Sequence, residues 1–385
     1  MSLRAGFAVL YPSIAVDMGL SVTEATGAFA MSMPVYAGAI IIAGILLDRI
    51  GIRNTMLIAL GIQATGALLA AAAQELWHLY ATWGLLIGMG MSGVGYVANL
   101  KLLAVSAPHL LGRGLGIMSA GQGLASLLFS PAIQLIIDAS GWRVAQLVLG
   151  VFGLAMLLPL ILIAAPGREA PARAAAGSED GLLAAIVRQP TAFAWSFLAL
   201  LAIGYTLLLP THQVAHLIHA GMPAVAAATI GGVMGGMIAV GGLLGGWLYD
   251  RLGAPRLLLL GGAMHSLGVI ALGVSGPAAP LLVLLYVVGA GAGRGVSTVG
   301  FGAIQGMVFP GHTLGRVSGV LEIGFGIGGL LGPWLTAVSR DSLGSYVPGI
   351  LTALPAGLLV VVGGLAAWQT RVRERGIAQR AAQPV

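Results

Sequence analysis

The sequence predicts an all-α membrane protein of twelve spanning helices in two six-helix halves. Three observations carry that prediction. First, 58% of the 385 residues are hydrophobic and 8% are charged, whereas a soluble domain carries roughly a quarter charged residues. Second, the mean hydropathy is +0.98, and the apolar runs approach the ~20 residues a helix needs to cross hydrocarbon. They are continuous and do not alternate with period two, which selects helices over a barrel. Third, the chain repeats itself at a fixed spacing.

The apolar runs and their breaks place helix 1 at Leu3–Met18, helix 2 at Gly27–Leu47 and helix 3 at Thr55–Ala73. Helix 4 is expected at His78–Leu100, helix 5 at Gly114–Ile137 and helix 6 at Arg143–Ala164. The polar stretch "PGREAPARAAAGSEDG", from Pro166, reads as a linker. Helices 7 to 9 follow at Ala192–Leu217, Ala224–Leu248 and Leu257–Val274, and helices 10 to 12 at Ala279–Gly302, Gly315–Val338 and Val347–Trp368. The expected units are therefore residues 1–165, a linker at 166–190, residues 191–370, and a basic tail at 371–385.

The repeat has three landmarks. Asp48-Arg49-x-Gly51 recurs 202 residues later as Asp250-Arg251-x-Gly253. "HLLGR" (His109–Arg113) recurs 203 later as "HTLGR" (His312–Arg316), and Asp138-x-x-Gly141 recurs 203 later as Asp341-x-x-Gly344. One order at one spacing is a duplicated six-helix unit with parallel topology. Carried back, the spacing puts the partner of helix 7's start upstream of Met1. Leu3–Met18 is also short for a span and carries Arg4 and Asp17. Helix 1 is therefore expected to be truncated at its beginning.

The 61 glycines suit close helix packing, and the absence of cysteine excludes disulfides and thiol-ligated metal. The isoelectric point near 10.1 would suit nucleic acid, but the basic residues sit in short loops, as the positive-inside rule describes. With Arg49 and Arg53 placed in the cytoplasm, Lys101, Arg113, Arg168, Arg173, Arg188, Arg251, Arg256, Arg316 and the tail arginines share that side. Arg143 and Arg340 fall outside. The expected setting is the inner (plasma) membrane with a cytoplasmic C-terminus and no nucleic-acid partner. The start lacks a secretory cleavage site.

Several intramembrane groups invite a chemical reading. Arg294 lies within helix 10 in "VGAGAGRGVSTVG" and Glu322 lies within helix 11, at comparable depth. They form either a structural ion pair or an anion grip with an adjacent proton carrier, because ionisable residues inside a membrane are costly unless used. His212, His216 and His219 share one face of helix 7 and read as a polar helix end, short of a metal site. Asp17 reads as interfacial. Gly-rich runs such as "GGVMGGMIAVGGLLGG" lack the Gly-Lys-Ser/Thr of a phosphate loop. No catalytic triad, ATP-hydrolysing element or haem motif is visible, so neither an enzyme nor a cofactor is expected.

"GILLDRIGIR" (Gly44–Arg53) resembles the loop 2–3 signature of the major facilitator superfamily, and "GWLYDRLGAPR" is its weaker second copy. "GRGLGIMSAGQGLASLLFSP" (Gly112–Pro131), "GRVSGVLEIGFGIGGLLGPWL" (Gly315–Leu335) and "DSLGSY" resemble the monocarboxylate and oxalate–formate transporter-like group. That group's charged pair on helix 8 is missing from Ala224–Leu248, and the drug-antiporter signature is absent from helix 5. The resemblance implies a functionally monomeric secondary transporter working by alternating access. Its expected cargo is a small organic anion, a mono- or dicarboxylate, moved by proton symport or exchange. The alternative is a proton-driven efflux antiporter for amphipathic compounds, which would suit the apolar, Met-containing cavity helices. The resemblance assigns gating to Asp48, Arg49, Gly51 and Arg53, to Asp250 and Arg251, and to Arg113 and Arg316, against the plainer reading of charges that only set topology. It also makes cavity-lining candidates of Tyr11, Tyr96, Asn99, Gln122 and Tyr205 beside Arg294 and Glu322.

Overall fold

The computed structural model describes residues 2–95, 98–99, 101–102, 111–165, 189–309 and 312–381. Tyr96 and nearly all of the expected linker lie outside the described residues, as do the side chains of Asp48, Arg113, Gln122 and Arg316.

Helix α1 is Ser2–Met18, α2 is Val22–Arg49 and α3 is Gly51–Ala70. α2 starts five residues before the apolar run suggests, because Ser21 and Glu24 form a capping box that carries the polar first turn. α4 runs through Leu76–Leu79, a π-helical stretch at Tyr80–Ile87, and Gly88–Val94. α5 and α6 form the run Leu111–Ala164, broken at Gly141. α7 is Pro190–Tyr205 and Leu208–His219, with a break between them. α8 and α9 form the run Ala224–Gly273, broken at Gly253. α10 spans Pro280–Val308 with π-helical turns at Val287–Ala292. α11 is His312–Leu343, and α12 is Val347–Leu351 continued by Ala353–Ala381. Among the described residues, eight helical stretches are long and apolar enough to cross a membrane. Two of these each hold two spans, and α1 and α4 bring the set to twelve.

The duplication is written into the backbone. The described glycines with positive φ are Gly19 (63°), Gly51 (83°), Gly141 (81°), Gly221 (95°), Gly253 (72°) and Gly344 (70°). They pair as 19/221, 51/253 and 141/344, at the sequence repeat's spacing. Each turns the chain between helices in a region open to glycine at little steric cost. The turns at Gly51 and Gly253 mark a basic face, and the other four mark the opposite face.

Large apolar side chains point outward, among them Leu160, Leu243, Leu281 and Leu358, as a lipid-facing surface requires. Aromatic packing fills the interior of the first half. The Phe7 ring stacks on Phe29 at 4.9 Å and meets Trp83 edge-on at 4.8 Å. The halves meet through small residues. Gly326 and Gly329 of α11 abut Met33 and Ala37 of α2, and Gly123 of α5 abuts Gly235 and Ala239 of α8.

Within the second half, α7 and α11 approach until backbone meets backbone. A Cβ on Gly328 would overlap the Leu201 carbonyl oxygen, and one on Gly332 would overlap that of Tyr205. Overpacking of this kind costs about 1–3 kcal/mol. Gly328→Ala is therefore expected to lower the thermal unfolding midpoint of the detergent-purified protein, and an unchanged midpoint would contradict this packing.

Candidate functional site

The break in α7 has a local cause. Pro210 offers no N–H, and its ring crowds the carbonyl four residues back, that of Thr206. Thr206 O instead accepts from Leu209 N at 3.1 Å and from the Arg294 guanidinium at 3.4 Å. A cation at the carbonyl end of the segment Pro190–Tyr205 is where the helix dipole favours it. Arg294 follows directly after the π-helical turns of α10. The outward stripe of α10 is Leu281 (78% exposed), Leu285 and Val288. Arg294 instead faces the bundle, where it bonds α7 and lines a pocket.

Arg294 opens on a small pocket, about 30 Å³ in volume, between α7, α9, α10 and α12. Thr206, His265, Ser297, Thr298 and Gly357 contribute to its wall. One permanent cation, one imidazole and three hydroxyls contribute to this pocket wall. Of the residues singled out from sequence, Arg294 lines this pocket. Glu322 is half-buried on α11 outside the lining. Tyr205 is adjacent in sequence but donates its hydroxyl to Thr352 at 2.9 Å. Asn99 donates to the Val94 and Gly95 carbonyls at the end of α4.

Tyr11 belongs to a different structure, a hydrogen-bonded link between the halves toward the opposite face. Its hydroxyl donates to His212 Nδ1 at 3.0 Å, and His212 Nε2 donates to the Pro333 carbonyl at 2.8 Å. That chain ties α1 to α7 and α11. His212 and His216 are buried, and His216 bonds the Leu272 carbonyl. The expectation of a polar helix end thus holds for the exposed His219 alone, because α1 and α11 pack over His212 while α9 and Tyr346 cover His216. Among the described residues no cluster of three or more potential ligands could hold a metal. Tyr346 lies under the turn after α11, where burial pushes its hydroxyl above the ordinary phenol range and keeps it neutral. Above it, Asp341 accepts from Val22 N at 3.1 Å and Thr23 N at 2.7 Å, clamping the N-terminus of α2 from the other half. Its repeat partner Asp138 accepts from Gln134 of its own helix. Asp17 lies at the same face, paired with Arg143 and accepting from Trp142 at 3.0 Å.

On the basic face Arg53 donates to the Leu162 and Ala165 carbonyls at 2.6 and 2.9 Å, capping the end of α6. Lys101 donates to the Leu47 carbonyl near the end of α2. Gly51 and Gly253 form the turns. Arg49 and Asp250 are exposed, and Arg251 lies over the Trp247 ring at 4.0 Å. The described contacts of this cluster thus hold the first half together at its base and leave the second copy at the surface.

Twelve spans in two duplicated halves, with a pocket at a broken helix, are the architecture of a polytopic membrane transporter of small molecules. The comparisons agree. The model of the Major Facilitator Superfamily matches residues 1–299 and 239–385, and the chain belongs to that family. It is 30% identical over 369 residues to human "Monocarboxylate transporter 11", covering 92% of this chain and 76% of that one. Rat "Monocarboxylate transporter 13" is 28% identical over 321 residues, covering 81% and 72%. Two solved structures share the fold at low identity. A bacterial homolog of the human lysosomal transporter Spinster, inward-facing and unoccupied, gives a TM-score of 0.70 at 17% identity, covering 96% and 93%. A D-xylose–proton symporter gives 0.72 at 14%, covering 95% and 94%.

Proposed function

We propose that the protein moves small monocarboxylates by alternating access, coupled to protons or by exchange, with Arg294 as the group that grips the carboxylate. The observation that carries this reading is the Arg294 guanidinium in a pocket at the break of α7. A guanidinium matches a carboxylate with two parallel hydrogen bonds. The names of the relatives at 28–30% identity support the same class of cargo. The distribution of arginines supports the basic face as cytoplasmic, in the plasma (inner) membrane. The working units are then 1–165 and 191–370, joined by the 166–190 linker. Asp48, Arg49 and their copies Asp250 and Arg251 act as the cytoplasmic gate, while Asp341 and the Tyr11–His212 chain close the outer one.

Uptake of radiolabelled lactate into proteoliposomes, with and without an inward proton gradient, tests the reading. Saturable uptake is expected, inhibited by unlabelled monocarboxylates and not by lipophilic cations. Uptake indistinguishable from empty vesicles, with lipophilic-cation transport instead, would sink it.

A further inference from the structure

The pocket holds a ring nitrogen with nothing to bond. His265 on α9 is 5% exposed. Its Nδ1 lies 3.3 Å from the Ala290 carbonyl of α10. A carbonyl only accepts, so Nδ1 carries the hydrogen, and in the neutral ring Nε2 is a bare lone pair. Nε2 is buried and has no partner. The Cδ2–Nε2 edge is turned toward α12, where a Cβ on Gly357 would stand 3.4 Å from Cδ2. Gly357, His265 and Arg294 share the pocket wall. An unsatisfied buried acceptor costs about 1–3 kcal/mol, and this one shares a pocket wall with the Arg294 cation.

The repeat supplies an internal comparison. Gln63 lies 202 residues before His265, and Met91 lies 203 before Arg294. Gly90 abuts Gln63 as Gly293 abuts His265. Gln63 Oε1 is likewise buried without a bond, but the same helix packing is built there without any ionisable group, so packing does not explain His265 and Arg294.

We propose that His265 couples anion binding to uptake of one proton. The proposal rests on Arg294 being the anion ligand. A carboxylate oxygen and a bare Nε2 are both acceptors and repel each other. When the carboxylate enters, Nε2 takes a proton from a hydronium ion or a buffer acid at the pocket mouth, so that one O–H bond of the donor breaks as one N–H bond forms. The ring then donates that hydrogen to the carboxylate oxygen as a charge-assisted hydrogen bond. The proton returns to water when the anion leaves. The wall carries one positive charge when empty, from Arg294. Loaded, it carries two positive charges and one negative, so the net charge is unchanged and the loaded site meets no added penalty within the bilayer. Arg294 of α10 is the charged group that faces His265. The lining residues of α7 (Ile203, Thr206) and α12 (Gly357, Val360) do not titrate.

Calorimetry of lactate binding to the purified protein, in two buffers of different ionisation enthalpy, counts the protons taken up. About one proton per lactate is expected in the wild type, and about none in His265→Gln, whose amide donates without titrating. One proton persisting in His265→Gln would overturn the proposal, as would lactate binding to the wild type without proton uptake. The latter result leaves the Arg294 reading intact, whereas a wild type that binds no lactate defeats that reading first. Should His265→Gln fail to fold or bind, the ¹⁵N-histidine spectrum of the wild type decides. Saturating lactate should convert one bare ring nitrogen into a protonated one, and seven unchanged histidines would refute the proposal.

Discussion

Arg294→Gln is expected to lower lactate uptake, as kcat/KM, by about 100-fold. The substitution removes a charge-assisted, two-pronged grip worth ~3 kcal/mol, at 1.4 kcal/mol per decade. Arg294→Lys separates charge from geometry. A lysine keeps the cation but presents a point charge in place of the planar fork, and cannot hold both the Thr206 carbonyl and two carboxylate oxygens in the same plane. Arg294→Lys is expected to keep residual uptake with an affinity at least about tenfold weaker. Unchanged affinity in Arg294→Lys would remove the two-pronged grip from the mechanism, and a detergent melting curve like the wild type's separates lost binding from lost fold.

Asp341→Ala is expected to shift the protein toward the state open at the face opposite the basic loops. The carboxylate joins the halves by accepting from two backbone N–H groups at the start of α2. Losing such a cap costs about 0.5–2 kcal/mol, and the exposure of Asp341 argues for the lower part of that range. A bias of about 1 kcal/mol moves a two-state equilibrium roughly fivefold. The natural absence of cysteine makes the measurement clean. Met33→Cys places a single thiol beneath the clamp, where Met33 is fully buried against Gly329. Its labelling by a membrane-impermeant maleimide should quicken about fivefold when Asp341→Ala is added. Asp138→Ala, which removes a bond within one helix, should leave it unchanged. Equal rates in all three backgrounds would show that the clamp does not hold that face closed.

Much of the fold was legible because hydrocarbon imposes simple rules. Continuous apolar runs of the right length must be helices, and the fixed offset between Asp48 and Asp250 exposed the duplication that the paired positive-φ glycines repeat in the backbone. The site was only half legible. A buried arginine announces itself by its cost, so Arg294 stood out. The break in α7 did not, although Pro210 and its effect on the Thr206 carbonyl are local. An apolar run with one proline still reads as a span, and the consequence appears only when Arg294 arrives from α10. His265 was invisible for a different reason. One histidine in "GGAMHSLG" is unremarkable in sequence, and its bare Nε2 follows from a carbonyl 25 residues away. His212 and His216 looked like a polar helix end because sequence does not show α1 and α11 folding over the first and α9 over the second. Asp341 served as a repeat landmark, while its role as a clamp depends on α2, more than 300 residues earlier.

The central claim is that a small carboxylate binds in the pocket at the break of α7, beside Arg294. Ser297→Cys puts the protein's single thiol in that wall. Its reaction with a small methanethiosulfonate should slow about tenfold in lactate at concentrations that saturate uptake, and remain unaffected by a neutral sugar. A modification rate that ignores lactate under those conditions would place the carboxylate elsewhere and contradict the account.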